Sequence, residues 1–385
     1  MEVKTTRGSI FMDKKQIYLI FSLIFISLGS CVIFKISLCY GFFLSISICL
    51  GFSVRNGFKL INLLNIMKKQ ILECKSLFLL ILLIGATVSI WMSSGIIPTM
   101  IYYGLDYMKG MNFLFAIFII TSITSVFMGT SIGTIGTIGV VFLALGKIFY
   151  IPNNIVLGTI ISGAFIADKI SPISGLLNLT LDTIKVSYKS TINSMFKTLI
   201  PVYLICGFIY FLIGTKYKIS IKSSEIDKLS FAIKNNFYIS PFLILLPVCI
   251  IVMCFLGVKI LKSISIGLLC GIVVSFSLQK LDIINIFSSM ISGYKAITHS
   301  TDLNKILVSG GMISMIEVLL IIIEAIGLSS LLESTGLINP IINNISQKVN
   351  SKGELILKTG LISSLLKLRT CKTGIGACCI NVLKH

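Results

Sequence analysis

Charge is what this chain has least of. Of 385 residues only 14 are acidic, and the four charged types together make 12%, against about 25% in a typical soluble domain. So little charge excludes a water-soluble globular protein. Histidine is scarcer still, with 2 copies, one of them the last residue, which excludes a histidine-based metal centre. No Gly-x-Ser-x-Gly, His-Glu-x-x-His or zinc-deaminase motif is present, so no nucleophile and base are paired and the chain does not read as an enzyme. No Gly-Lys-Ser/Thr follows a glycine cluster, which removes the P-loop. The alternating apolar pattern of a lipid-facing barrel is absent too.

Apolar residues are abundant instead, at 55%. They gather in runs, most of them near the 17 to 25 residues that cross a bilayer as a helix. The expected spans are 17–34, 36–54, 77–101, 112–128, 133–150, 155–167, 198–214, 240–257, 264–279, 306–330 and 355–366. The first is too long for a signal-peptide core, lacks a small-x-small cleavage site and is followed at once by a second, so it is retained as a helix. The fold class is therefore an all-α polytopic membrane protein of about 10–11 segments.

The net charge of +19 lies mainly in loops. Lys4, Arg7, Lys14 and Lys15 precede the first span, and Arg55, Lys59, Lys68, Lys69 and Lys75 follow the second, which places the N-terminus (1–16) in the cytoplasm. No aromatics interleave these lysines, so a nucleic-acid partner is not expected. The loop 215–239 should lie outside but carries Lys216, Lys218, Lys222, Lys228 and Lys234, a conflict that a re-entrant segment or a miscounted span would resolve. The 11 Cys sit mostly within spans, as small apolar packers. Cys371, Cys378 and Cys379 show no zinc spacing.

Three places carry polar chemistry. In "GTSIGTIGTIG" (129–139) glycines alternate with Thr130, Ser131, Thr134 and Thr137. Two readings stand: a close helix crossing of small residues, or a broken helix whose freed carbonyls and hydroxyls are hard ligands for a small cation. In "GAFIADKISPISGLLNLT" (163–180) Asp168 and Lys169 meet Pro172, Gly175 and Asn178. Irregular backbone at membrane depth needs protein or a watery cavity around it. An intramembrane charge is costly, so Asp168 belongs either to an interface or to function. In 306–330, Glu317 and Glu324 lie seven apart on nearly one helix face. A further interruption is expected in "SSGIIPTMIYYG" (93–104), where Gly95 and Pro98 disturb the run begun near Leu77.

"SSGIIPTMIYYGL" (93–105), "GTSIGTIGTIG" (129–139), "SGAFIADKISPISGLLNL" (162–179) and "GGMISMIEVLLIIIEAIGLSSLLESTG" (310–336) occur in the order and rough spacing of the NhaC-type sodium/proton antiporters, which the chain resembles over residues 15–366. The resemblance implies an inverted-repeat secondary transporter with discontinuous, re-entrant helices: a first repeat at 17–200 and a partial second repeat at 201–366. It implies ion-binding roles for Asp168, Ser171, Ser174 and Asn178 beside Pro172, and for Thr130, Ser131, Thr134 and Thr137. Ala167 stands where Gly is usual, and Gly175 where many members have Asp or Ser. Family members usually continue through further spans. Here "KLRTCKTGIGACCINVLKH" follows residue 366, so the second repeat reads as incomplete, ending either in a truncated, out-of-frame basic tail (367–385) or in a natural cytoplasmic end.

The function expected is sodium/proton exchange in the cytoplasmic membrane, with Asp168 binding either a proton or a sodium ion. Lys169 would hold Asp168 ionised or point to the interface. Glu317 and Glu324 are second choices as exchanging carboxyls. The alternatives are exchange of organic acids of the malate/lactate kind, for which Lys169 is the available cation, and a non-transporting remnant. No cofactor is expected; the partners are sodium ions, protons, the lipid bilayer and a second copy of the chain as a homodimer.

Overall fold

The computed structural model of the protein describes residues 14–338, apart from 109, 185, 218–222, 297 and 299, together with residue 353. Among the described residues the chain is helical, with an isolated bridge between Lys295 and Val308. Eight helices there are long and apolar enough to cross a membrane. A ninth span results if Asp227–Asn236 and Pro241–Phe255, bent by 89°, count as one. The expected span 355–366 and the tail 367–385 lie outside the described residues.

The first helices are α1 (Lys14–Ile33), α2 (Leu38–Arg55), α3 (Leu60–Glu73) and α4 (Lys75–Ser93). After them come α5 (Ile96–Tyr107), α6 (Phe113–Met128), α7 (Ser131–Thr134), a π-helical turn at Ile135–Gly139, α8 (Val140–Ile148) and α9 (Asn153–Ala164). Short α10 (Ala167–Ile170) and α11 (Gly175–Ile184) precede the long α12 (Tyr188–Lys216). The remainder is α13 (Ser223–Asn236), a 3-10 turn at Pro241–Ile244, α14 (Leu245–Phe255), α15 (Ile260–Ser277), α16 (Ile283–Ser292), α17 (Thr301–Ile306) and α18 (Gly311–Ser334).

Several helices fall outside the expected spans, α11 and α17 among them, and three show why. Residues 60–73, read as part of a cytoplasmic loop, form α3, whose buried residue is Leu63. Its apolar residues recur on one face instead of filling a run, and a search for long runs passes over that pattern. Residues 223–236, read as loop, form α13 for the same reason. The apolar stretch Ile283–Ser292 is ten residues long, too short to cross a bilayer and so absent from the expected spans.

The chain divides into two compact units, residues 1–78 with 317–385, and residues 79–316. In the first, Ile17, Ile20 and Ile24 of α1, Phe42 and Cys49 of α2, Leu63 of α3 and Leu328, Leu331 and Leu332 of α18 make one buried cluster. Ser27 donates to the Gly41 carbonyl at 2.9 Å, joining α1 to α2. In the second, a larger cluster runs from Trp91 through α5, α6 and α8 to Leu303 and Leu307. Helix α12 joins that unit along one stripe. Phe118 stacks on Tyr203 at 4.7 Å between ring centroids and meets Tyr210 at 5.3 Å, while Asn112 donates to the Phe211 carbonyl at 2.7 Å.

Candidate functional site: two interrupted helices joined at Asp168

Helix α6 stops at Gly129, whose φ of +68° is left-handed and whose amide donates to Ser125 O at 2.8 Å. A side chain there would be strained, and its Cβ would lie 2.5 Å from Ile173 Cγ1. Thr130 is extended, and its hydroxyl accepts from the Gly133 amide at 3.5 Å, so the helix restarts at Ser131. The restart widens into the π turn, a form common at functional sites. Close crossing holds here as well: a Cβ on Gly136 would lie 2.6 Å from Ile84 Cγ2, and one on Gly139 3.0 Å from Ile160 Cγ2. The segment is thus both a close crossing and a break in the helix.

The second interruption begins at Ala164, where α9 ends. One turn of helix, α10, carries Asp168; Ser171 is extended, and α11 starts at Gly175. Ser171, fully buried, donates to Val126 O at 2.7 Å and so satisfies one of the carbonyls left open in the last turn of α6. The Tyr188 hydroxyl donates to Ile170 O at 2.7 Å, closing α10. Ser174 caps α11 by accepting from the Leu177 amide at 3.4 Å, and Asn178 donates to Pro172 O at 2.9 Å.

These constraints bring the two interruptions together at one contact. Ser131 Oγ donates to Asp168 Oδ2 at 2.7 Å, with Ser131 buried and Asp168 half-buried. The other expected ligands are placed differently. Thr134 and Thr137 donate to Thr130 O and Gly133 O of their own segment, both at 2.9 Å, and lean on the Met128 sulfur. Thr130, Ser174 and Asn178 shape the backbone around the contact. Lys169 is exposed. Of Glu317 and Glu324 on α18, Glu324 meets the first unit's α2, Cys39 Sγ donating to its Oε1 at 3.3 Å, while Glu317 is exposed.

One polar feature escapes a reading of the sequence. The interruption expected at 93–104 falls at Ser94 and Gly95, with Gly95 at φ +79°, and Pro98 sits in the first turn of α5, where it breaks no helical bond. Gln279, just after α15, spans it: Nε2 donates to Ser94 O at 3.0 Å and Tyr238 O at 3.3 Å, and Oε1 accepts from the Tyr238 amide at 3.2 Å. Ser89 and Ser309 share a hydrogen bond of 2.6 Å in the same unit. Nothing local in the sequence pairs residue 279 with residue 94.

Membrane-spanning helices that break around a carboxylate and a hydroxyl define a multi-pass membrane transporter. The family profile described as the Na+/H+ antiporter family matches residues 163–375, a stretch that includes α10, α11 and Asp168. The malate-2H(+)/Na(+)-lactate antiporter of Bacillus subtilis is 30% identical over 332 residues, covering 86% of this chain and 70% of its own. The Na(+)/H(+) antiporters NhaC of Alkalihalophilus pseudofirmus and of Bacillus subtilis are 27% and 26% identical over 290 residues each, 75% of this chain and 62% and 64% of theirs. No solved structure matches. The chain belongs to the Na+/H+ antiporter family and is an antiporter by that membership. It spans 62% to 70% of the length of these relatives.

Proposed function

We propose that this antiporter exchanges sodium ions for protons across the cytoplasmic membrane, with the N-terminus inside, and that Asp168 is the group both cargoes share. The observation that carries this reading is the 2.7 Å hydrogen bond from Ser131 to Asp168, which unites the two interrupted segments on the acidic residue they surround. A carboxylate holding a proton has lost the charge that attracts a cation, so the two cargoes compete for one site. Ionised, Asp168 takes a sodium ion and Ser131 turns an oxygen lone pair toward it. Protonated, it releases the ion. The buried surroundings strengthen both interactions relative to water.

A second reading, exchange of organic acids coupled to these cations, is favoured by the 30% identity to a protein named for malate and lactate. The test is sodium-induced collapse of a preset pH gradient in everted vesicles from cells without their own antiporters. The parent should collapse the gradient and Asp168→Asn, at equal membrane abundance, should not. Equal responses from the two would remove Asp168 from the mechanism. A silent parent whose vesicles instead accumulate labelled malate would move the assignment to organic acids.

A further inference from the structure

We propose a second site for a small alkali cation, separate from Asp168, where α4 breaks into α5. Three hydroxyls in this part of the unit, on Ser94, Thr99 and Ser275, belong to residues that are 0% exposed, and none of the three has a hydrogen-bond partner among the described residues. A buried hydroxyl without a partner is costly, and helical Ser and Thr ordinarily avoid the cost by bonding a carbonyl one turn back. Many others in this chain do so, among them Ser45, Thr87, Thr121 and Thr159. Three exceptions in one unit, two of them in the α4–α5 segment and one on the helix packed beside it, call for an occupant.

The register of the helices sets Ser275 beside Ser94. Trp91 Nε1 donates to Gly267 O at 3.2 Å, a Cβ on Gly271 would lie 2.9 Å from Ile90 Cγ2, and Gln279 Nε2 reaches Ser94 O at 3.0 Å. Helices α4 and α15 therefore ascend side by side, and Ser275, one turn beyond Gly271, stands level with Ser94. Thr99 lies one turn into α5, its amide donating to Gly95 O at 2.9 Å. The carbonyls of Trp91 and Ser93, left over where α4 ends, accept from no described residue.

A helix C-terminus carries partial negative charge. Together with neutral hydroxyl and carbonyl oxygens it forms a hard donor set without a carboxylate among its members, which suits a monovalent cation better than a divalent one. Gln279 does not need to touch the ion. With both amide atoms engaged, it is a positioning residue that holds the break open. The choice of sodium as the ion rests on the proposed exchange; the site itself rests on the hydroxyls.

The experiment is binding of radioactive sodium to the purified full chain in detergent, by scintillation proximity, with the lone tryptophan, Trp91, as a second, fluorescent readout one turn from the site. Asp168→Asn should retain saturable sodium binding at about half the parent's stoichiometry, with a sodium-dependent change in Trp91 emission. Adding Ser94→Ala and Ser275→Ala should weaken that binding at least roughly tenfold and abolish the emission change, while Ser94→Thr with Ser275→Thr in the same background should keep both. Persistence of binding in the alanine variant would overturn the proposal, as would loss in the threonine variant or a parent that binds no sodium. Binding by the parent but none by Asp168→Asn would sink this second site and leave the Asp168 reading standing. Asp168→Asn that binds and also transports like the parent would sink the exchange mechanism instead.

Discussion

Two spans of this protein are similarly oily and do opposite things. Over the most apolar stretch of each, 6% of the residues of α12 are buried inside the protein, against 61% of those of Ser131–Ile148. Helix α12 shows the surroundings Ile205, Leu204 and Phe208, each more than half exposed, and meets its neighbours along one stripe that includes Tyr203, Gly207 and Tyr210. The other span is interrupted, glycine-rich and gripped on several sides, and it carries Ser131. Lipid tails are as apolar as leucine, so hydrophobicity cannot distinguish a helix facing lipid from one facing protein. Small residues and hydroxyls do distinguish them, because they let backbones approach and leave oxygen where an ion can use it.

That contrast predicts a graded set of outcomes. The largest effect belongs to Gly163, where a Cβ would collide with Thr121 Oγ1 and lie 2.8 Å from Phe118 O; Gly163→Val should destabilise by about 3 kcal/mol, seen as a lower melting temperature in detergent. Ser171→Ala would leave the Val126 carbonyl without its donor and should cost about 2 kcal/mol in the same assay. Ser131→Ala removes the donor to Asp168, and its mark should be functional: roughly tenfold more sodium needed for half-maximal gradient collapse, at near-parental abundance. Smallest is Leu204→Ala on the exposed face of α12, which should stay within about 0.5 kcal/mol of the parent. A large loss there would break the comparison, since it would mean that this face is covered by protein.

The interruption at 129–139 was legible because glycine and β-branched threonine at such density announce a weak helix, and the one at 163–180 because a lone aspartate beside proline in an apolar run has few structural uses. The same residues also carry the family resemblance. Less legible was which hydroxyl would face Asp168. Four of them, on Thr130, Ser131, Thr134 and Thr137, looked equivalent along the chain. The helix restart and the π turn separate them, turning Ser131 to the carboxylate and folding Thr134 and Thr137 back on their own carbonyls. Helices α3 and α13 were missed because their apolar residues fall on one face, and Gln279 because its partners lie 41 and 185 positions away.

Composition and run length alone determined that this chain lives in a bilayer as helices, since a backbone in hydrocarbon must satisfy its own hydrogen bonds and a chain this poor in charge has no other solvent. Pattern added where the helices would break. Only the tertiary structure decided which side of each helix meets protein, which oxygen reaches Asp168, and which buried hydroxyls, on Ser94, Thr99 and Ser275, find no partner among the described residues. Those outcomes depend on packing between segments far apart in the chain, and no local rule of sequence encodes them.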